Sequence, residues 1–463
     1  MALYQKTISP IDGKEYVCRE LATESHVRSV LALSQSTQRV WAQTSLEERK
    51  RICVKALDWL QSNQEKLGLE LCWQIGRPIR YAKNEIAGVV ERGEFMIAAS
   101  EKVLSTISVA EKTGYTRYME REPIGVVFVV APWNYPYLTA INSIIPALLA
   151  GNSVVLKHSA QTPLCAERLV EAFEHAGLPK GIFQYLHLNH SMAESVVRSG
   201  EVNHVAFTGS VKAGRAMEQF AAGQFIGLGL ELGGKDPAYV REDANLDSAA
   251  ETVIEGAFFN TGQSCCAIER VYVHHSLYES FVERATQLVT KYQLGIPTEE
   301  ETTLGPLVCS EAANFVRVQV NEAVAQGAQY HIDKRLFELD DGNSAYLAPQ
   351  VLTNVSHSMR VMTEESFGPV VGVMSVSSDE EAVMLMNDSE YGLTSSIFTR
   401  DIECGTELGR KVQTGTFFIN RCDYLDPALA WTGIKHSGRG HTLSEFGFDA
   451  FTRLKSFHIK HPN

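Results

Sequence analysis

Three side chains able to do chemistry stand beside glycine or proline turns. Cys265 follows the run Gly262-Gln263-Ser264, and a thiol after such a turn can be an activated nucleophile, above all near a helix N-terminus. Asn134, in a turn with two prolines, can donate an amide hydrogen bond to a developing oxyanion. Glu231 is a carboxylate held before two permissive glycines. Structural interpretations stay open, because a lone cysteine is commonly inert core and Asn beside Pro commonly forms an Asx turn.

Two further positions could hold a ribose or a phosphate. Lys157 ends an apolar run, where a cation is well placed for either group, although a lysine that snorkels to the surface is the alternative. Gly209 leaves the backbone clear at another strand end, and Ser210 can cap the helix that follows. The positive end of that helix is a natural seat for a pyrophosphate. The glycine spacing here is GxxxxG, which is common by itself.

Apolar runs alternate with amphipathic runs from residue 126 onward, and they predict the elements that position these side chains. Strands are predicted at residues 126–130, 153–157, 183–186, 205–208 and 228–232. Helices are predicted at residues 137–149, 163–176, 192–199 and 211–222. This alternation is typical of βαβ units in a parallel sheet, where ligands bind beyond the carboxyl ends of the strands. Earlier in the chain, Ser45 and Glu48 predict a capping box.

Composition and charge disfavour several classes of protein. The 463 residues carry a net charge of −13 and no cluster of five or more Lys and Arg, which disfavours a nucleic-acid partner. No apolar run approaches membrane-spanning length, and the N-terminus lacks the apolar core of a secretory signal. Nine mostly scattered cysteines fit free thiols in a reducing compartment, so a cytoplasmic location is expected. No CxxC or HExxH occurs, so no metal site is expected.

Taken together, the motifs resemble those of the aldehyde dehydrogenase superfamily, in the same order and from about residue 20 to the end. The runs that carry the resemblance are Pro132-Trp133-Asn134, Val155-Leu156-Lys157, Phe207-Thr208-Gly209-Ser210, Glu231-Leu232-Gly233-Gly234-Lys235, Gly262-Gln263-Ser264-Cys265, Leu304-Gly305-Pro306-Leu307, Glu364-Glu365-Ser366-Phe367-Gly368-Pro369 and Gly433-Ile434-Lys435-His436-Ser437-Gly438. The resemblance implies an α/β fold with a Rossmann-like cofactor domain, an α/β catalytic domain and a small β bridging element for oligomerisation.

By this resemblance the chain oxidises an aldehyde to a carboxylic acid with NAD or NADP. Cys265 would attack the aldehyde carbon, and the Asn134 amide together with the Cys265 backbone N–H would hold the thiohemiacetal oxyanion. Glu231 would be the general base that activates water to hydrolyse the thioester. CoA-acylating relatives lack a carboxylate at this position, so a free acid is the expected product. Cys266 matches a variable neighbour and is expected to pack.

The resemblance also assigns a cofactor site, and one departure bears on the choice of dinucleotide. Many NAD-preferring relatives carry Glu three residues after the strand-end lysine, where Ala160 stands here. Without that carboxylate the repulsion of a 2′-phosphate is relieved, and Ser159 and His158 could accept one, so we expect NADP to be tolerated or preferred. The predicted cofactor-binding residues are Trp133, Lys157, Ser159, Ala160, Gly209, Ser210, Leu232, Glu365 and Phe367.

A substrate pocket is implied in the same way. The expected lining residues are Tyr137, Phe259, Ile268 and Tyr424. Aromatic residues there favour a medium aliphatic or aromatic aldehyde. The alternative is a semialdehyde such as succinate semialdehyde, whose carboxylate Arg421 could anchor, although Asp423 and Asp426 beside it would partly cancel its charge. The succinic-semialdehyde members of the family tend to have a Ser anchor in this loop, where Leu425 stands.

Two other function classes make predictions of their own. A non-catalytic structural or binding relative would lack Cys265, Glu231 or Asn134, and all three are present. A cysteine hydrolase would need a histidine near the nucleophile and would leave the dinucleotide elements without a role. Titration with NAD or NADP separates that class from a dehydrogenase.

The chain is expected to divide into domains and to assemble. The predicted division is a cofactor-binding domain in segments 1–105 and 123–233, a bridging segment 106–122, a catalytic domain 234–440 and a C-terminal bridging segment 441–463. Residues 456–459 have the pattern of a half-buried strand that needs a partner. The resemblance implies a homodimer or a dimer of dimers.

Overall fold

The structure, a computed structural model, describes residues 3–462. The strands are β1 (Tyr4–Ile8), β2 (Glu15–Glu20), β3 (Ile107–Ser108), β4 (Tyr115–Pro123), β5 (Val126–Val130), β6 (Ser153–Lys157), β7 (Phe183–Tyr185), β8 (His204–Thr208), β9 (Gly227–Glu231), β10 (Asp236–Val240), β11 (Ile268–His274), β12 (Gln329–Tyr330), β13 (Gln350–Thr353), β14 (Val370–Val376), β15 (Thr394–Phe398), β16 (Thr416–Ile419), β17 (Gly438–Arg439) and β18 (Thr452–Lys460). The helices are α1 (Glu24–Trp41), α2 (Leu46–Ser62), α3 (Gln64–Ile75), α4 (Ile79–Ala82), α5 (Asn84–Val103), α6 (Pro136–Leu149), α7 (Pro163–His175), α8 (His190–Arg198), α9 (Val211–Ala221), α10 (Leu246–Phe258), α11 (Tyr278–Val289), α12 (Ser310–Ala325), α13 (Arg360–Thr363), α14 (Asp379–Asn387) and α15 (Ile402–Gly409).

A six-stranded sheet carries the first half of the site. Its order is β17-β9-β8-β5-β6-β7, and every strand is parallel except β17. The chain enters this sheet at the central strand β5 and moves outward through β6 and β7. It then returns to form β8 on the opposite side of β5. The strand order therefore reverses between β5 and β8, and a parallel sheet binds its ligand at such a point.

The helices and strands predicted around this sheet agree with the structure to within two residues at every boundary. The α/β fold class is confirmed. The capping box is half right, because Ser45 Oγ accepts the Glu48 backbone N–H at 3.3 Å. The Glu48 carboxylate instead bonds the Arg51 guanidinium at 2.5 and 2.7 Å. A charged donor one turn ahead is a stronger partner than the neutral N–H of Ser45.

A seven-stranded sheet carries the second half. Its order is β12-β13-β14-β11-β10-β15-β16, and every strand is parallel except β12. The core of this half packs α10 and α11 against the sheet. Cys265 stands between α10 and β11, while Glu231 ends β9 in the first sheet. The two sheets therefore approach one another at the predicted catalytic residues.

A three-stranded antiparallel sheet joins two distant parts of the chain. Its order is β18-β4-β3, and β18 pairs with β4 in a continuous register from Thr452↔Pro123 to Lys460↔Tyr115. The predicted bridging segments thus meet in one sheet, although the division into domains stays a prediction. The residues just before β18 form a 3-10 helix, Glu445–Phe451, that packs on α5 and α6. Within residues 3–462, no helix has both the length and the apolar character needed to cross a membrane.

Candidate active site

A cavity of about 480 Å³ lies between α5, α6, α10 and the loop at residues 421–425. Cys265 and Glu231 both line it, so the predicted nucleophile and the predicted base face one chamber. A second cavity of about 590 Å³, on the side of Thr442 and His204, also reaches Glu231. The Glu231 carboxyl group therefore stands between two spaces that can hold water or a small molecule.

The loop before Cys265 has an unusual backbone. Asn260, Thr261 and Gly262 have φ values of 52°, 57° and 72°, a left-handed conformation that costs a non-glycine residue about 1–2 kcal/mol. A Cβ at Gly262 would lie 2.3 Å from the Gly368 carbonyl oxygen, so only glycine fits there. The Thr261 hydroxyl holds the loop by accepting the Gly305 N–H and donating to its carbonyl, both at 3.1 Å. These contacts fix the position from which Cys265 projects.

Asn134 is buried at the end of β5 and reaches this same loop. Its Nδ2 donates to the carbonyl of Gln263 at 3.3 Å, two residues before Cys265. The Gln263 side chain in turn accepts the Val308 N–H at 2.8 Å. The structure therefore ties Asn134 to the loop that carries Cys265, and its role as oxyanion donor stays a prediction.

Arg77 is a buried residue of the site that the sequence did not reveal. Its guanidinium contacts the Glu85 carboxylate and the Asn134 backbone carbonyl, and its Nε donates to Asn260 Oδ1 at 3.0 Å. Asn260 Nδ2 donates to the Gln263 carbonyl at 3.2 Å. Arg77 therefore ties the turn of Asn134 to the loop of Cys265. An arginine between two helices carries no sequence signal of this role, because its partners are distant in the chain.

Glu231 is held by two hydroxyl groups. Thr442 Oγ1 donates to one carboxylate oxygen at 2.5 Å, and Thr208 Oγ1 donates to the other at 3.2 Å. Burial raises the pKa of Glu231 above its ordinary value, and the hydroxyls and Arg92 oppose that rise. A carboxylate with a raised pKa is a better proton acceptor, as a general base requires.

Cys266 is buried beside the nucleophile, as expected of a packing residue. It belongs to a small apolar cluster with Leu393, Trp431 and Leu443. Its Sγ also donates to Asp423 Oδ1 at 2.9 Å, and burial raises the pKa of Asp423 to about 6.

The strand ends of the first sheet carry the predicted cofactor residues. Lys157 is buried at the end of β6, and burial lowers its pKa to about 8. Ser210 Oγ caps α9 by accepting the Ala213 N–H at 3.3 Å, so the predicted cap is confirmed. Lys157 is a buried cation whose Nζ has no hydrogen-bond partner within residues 3–462, and the N-terminus of α9 lies at a neighbouring strand end; a dinucleotide phosphate can use both. Lys157 and the N-terminal turn of α9 therefore fit a bound dinucleotide.

Three further predicted cofactor residues gather where the two sheets meet. The indole of Trp133 packs edge-on against the Phe367 ring, with centroids 5.5 Å apart. Glu365 Oε1 accepts the Gly234 N–H at 3.0 Å, and burial together with Glu269 raises the pKa of Glu365 to about 8. Leu232 packs below Gly214 at the start of α9 and also lines the cavity of Cys265.

The residues near Lys157 need one correction. His158 is buried, with Nε2 facing the Pro136 carbonyl at 3.1 Å and Nδ1 facing the Thr162 hydroxyl at 2.9 Å. Burial lowers its pKa to about 3, so it is uncharged. The expectation that His158 could accept a 2′-phosphate is wrong, since both ring nitrogens are used inside the protein. Ser159 is partly exposed and Ala160 is exposed.

Two of the four predicted substrate residues line the cavity. Phe259 and Tyr424 do so, whereas Tyr137 and Ile268 are fully buried elsewhere and the prediction for them is wrong. The reason for Tyr137 is helical phase, because the face of α6 toward the cavity carries residues three or four apart. Those α6 residues are Leu138, Thr139 and Asn142, with Tyr135 just before them. Ile268 begins β11 and packs into the core against Gly256.

A cavity lined by a cysteine and a carboxylate, beside the strand ends at which a parallel sheet binds dinucleotides, is the arrangement expected of a dinucleotide-dependent oxidoreductase. The chain matches the model of the "Aldehyde dehydrogenase family" over residues 3–457. It therefore belongs to the aldehyde dehydrogenase family, as the sequence motifs indicated.

Individual relatives agree with this assignment. The chain is 33% identical to an aldehyde dehydrogenase of Paenarthrobacter nicotinovorans, over 97% of this chain and 98% of the relative. It is 32% identical to the succinate-semialdehyde dehydrogenase [NADP(+)] 1 of Mycobacterium bovis, over 98% and 99%. Its structure resembles that of the NADP-dependent glyceraldehyde-3-phosphate dehydrogenase from Bacillus halodurans complexed with NADP, at a TM-score of 0.94 and 28% identity, over 99% and 96%.

Proposed function

We propose that this chain oxidises an aldehyde to a carboxylic acid with NAD or NADP, with Cys265 as nucleophile, Asn134 as oxyanion donor and Glu231 as general base. One observation carries the proposal: Cys265 and Glu231 line the same cavity. The Asn134 amide donates to the carbonyl of Gln263, two residues before Cys265, which supports its assignment as the oxyanion donor.

The first half of the reaction builds a thioester on Cys265. The thiolate sulfur forms a bond to the aldehyde carbon, and the carbonyl electron pair moves onto oxygen. The Asn134 amide and the Cys265 backbone N–H stabilise that oxyanion, each by a few kcal/mol. As the oxyanion pair returns to re-form the carbonyl, a hydride leaves the same carbon; a bound dinucleotide would supply the acceptor for it.

The second half releases the acid. Glu231 takes a proton from water, the hydroxide oxygen bonds to the thioester carbon, and the carbon–sulfur bond breaks to return the thiolate. A base whose pKa is raised by burial suits this step. The second cavity that Glu231 lines would supply the space from which this water comes.

The cofactor proposal is that NADP is tolerated or preferred. The dinucleotide would be held by residues at the strand ends of the first sheet and at the meeting of the two sheets: Trp133, Lys157, Ser159, Gly209, Ser210, Leu232, Glu365 and Phe367. Ala160 is exposed where a carboxylate would repel a 2′-phosphate. Ala160→Glu should therefore lower kcat/KM with NADP by about tenfold relative to NAD. A hundredfold NAD preference in the wild-type enzyme would contradict the proposal.

The assembly proposal is a homodimer or a dimer of dimers. It is supported by β18, which has β4 as its single strand partner within the described chain and carries the exposed side chains of Leu454 and Ile459. An exposed strand edge is a template for pairing. Light scattering after size-exclusion chromatography should give two or four times the chain mass, and a monomer would refute the proposal.

The deciding experiment follows reduced nicotinamide with aliphatic, aromatic and carboxylated aldehydes and with both cofactors. Cys265→Ala should abolish it. Glu231→Gln should give a burst of about one equivalent per chain and then slow turnover, because the thioester forms but is not hydrolysed. Added CoA should not accelerate the wild-type enzyme. No turnover across the whole panel would favour a binding or structural role.

A further inference from the structure

Arg92 is a buried arginine in the wall of the substrate cavity, and the proposed chemistry does not use it. It lies on α5 and is 8% exposed, yet it lines the same chamber as Cys265. Its Nη1 donates to the Leu138 carbonyl and to Asn142 Oδ1, both at 3.2 Å. Both acceptors are uncharged, and within residues 3–462 the Nε and Nη2 hydrogens of Arg92 have no protein acceptor.

The inner carboxylates of the chamber have donors of their own. Glu231 accepts from two threonine hydroxyls, and Asp423 accepts from Ser264 and Cys266. Arg92 thus differs from Arg77, a buried arginine that contacts the Glu85 carboxylate directly. A buried guanidinium without a paired anion is costly, so folds retain it where a ligand supplies the charge.

We propose that Arg92 anchors a carboxylate of the substrate, so that the substrate class is a short aldehyde carrying a carboxylate at its far end. The inference rests on the proposed function and names its substrate. The free Nε and Nη2 hydrogens form one edge of the guanidinium fork, which matches a carboxylate in bidentate geometry. Arg92 and Cys265 line the same cavity of about 480 Å³, so the carboxylate and the aldehyde of a short substrate can occupy one chamber.

Arg421, the other cation of the cavity, is less suited to this role. It is exposed, and its guanidinium carbon lies 3.7 Å from the ring centroid of Tyr424. The Tyr424 hydroxyl donates to the exposed Glu91 at 2.9 Å. An exposed arginine beside a carboxylate binds a further anion weakly, because solvent screens its charge. The position of Arg92 therefore favours a semialdehyde substrate, and the anchor of its carboxylate is Arg92 in place of Arg421.

The test compares kcat/KM for 4-oxobutanoate with that for its uncharged methyl ester. The wild-type enzyme should favour the anion by about tenfold or more, and Arg92→Met should lower that ratio by about thirtyfold. Arg92→Lys, which keeps the charge but loses the fork, should lower it less. Arg421→Met is the matched control and should leave the ratio within about threefold.

Three outcomes would overturn the assignment. A wild-type ratio near one, an Arg92→Met variant with an unchanged ratio, or a preference for 4-aminobutanal over both compounds would each do so. If Arg92→Met does not fold, the wild-type ratio and the loss of competitive inhibition by succinate in Arg92→Lys decide. Failure of the proposed function is distinct, because the methyl ester would then give no reduced nicotinamide either.

Discussion

Buried charges in the two sheets differ in how completely they are paired. In the seven-stranded sheet, Lys235 Nζ contacts the Glu269 carboxylate and the Ser366 hydroxyl, and Glu269 also accepts the Ser366 and Phe367 N–H groups. Lys157, at a strand end of the six-stranded sheet, is also buried, at 8% exposure against 1% for Lys235, but has no such partner within residues 3–462. A buried charge with a full set of partners belongs to the framework, whereas one with open positions marks a ligand site.

Replacing each of these two lysines by methionine should give the largest effect that distinguishes the two sheets. Lys235→Met leaves the Glu269 carboxylate buried without its cation, so the free energy of unfolding should fall by about 3–5 kcal/mol. Lys157→Met is the matched control and should not lower the free energy of unfolding, since it orphans no partner and removes the cost of a buried charge. Urea unfolding of both variants decides, and equal losses would remove the distinction between framework and ligand charges.

Arg77 is a framework charge that also serves the active site, because it is fully paired and its partners belong to the site. Arg77→Lys keeps a cation beside Glu85 but cannot reach Asn134 and Asn260 together. We expect kcat to fall by about 30- to 100-fold, or about 2–3 kcal/mol, while KM for the cofactor stays unchanged. Steady-state kinetics would check this, and an unchanged kcat with reduced stability would show that Arg77 acts on the fold alone.

This contrast explains what the sequence could and could not predict. The strands and helices of the six-stranded sheet follow from local apolar periodicity, and Cys265, Glu231 and Asn134 lie next to glycine or proline turns. Arg92 lies inside helix α5 without such a mark, and Arg77, although it stands between Gly76 and Pro78, has no other sequence sign of its role. Their importance depends on partners far along the chain, which periodicity does not encode.

Two errors of sequence interpretation have a similar cause. The family resemblance places Tyr137 in the pocket, but the face of α6 that it occupies turns into the core. His158 stands next to Lys157 in sequence, yet its ring packs inward against Thr162 and the Pro136 carbonyl. Side chains of adjacent residues in a turn diverge, so closeness in sequence did not put both in the site.

The pH dependence of stability tests the unpaired state of Lys157. Its pKa is lowered from 10.5 to about 8 in the folded protein by burial, so between these values the unfolded chain binds more protons. The free energy of unfolding of the wild type should therefore rise with pH from about 8 to 10.5, by about 2 kcal/mol relative to Lys157→Met. Parallel curves for the two proteins over this range would show that Lys157 is not strained by its burial.

The smallest expected effect concerns the cofactor. Lys157→Met should weaken NADP binding by about tenfold, or 1.4 kcal/mol, because one charged hydrogen bond to the dinucleotide is lost. Lys157→Arg should retain part of the affinity. The Lys235→Met variant is the control, measured under conditions where it is folded, and its dissociation constant should change by less than about threefold. If Lys157→Met binds NADP as the wild type does, then a buried cation without partners is not by itself a mark of a ligand site, and the same argument for Arg92 would lose its basis.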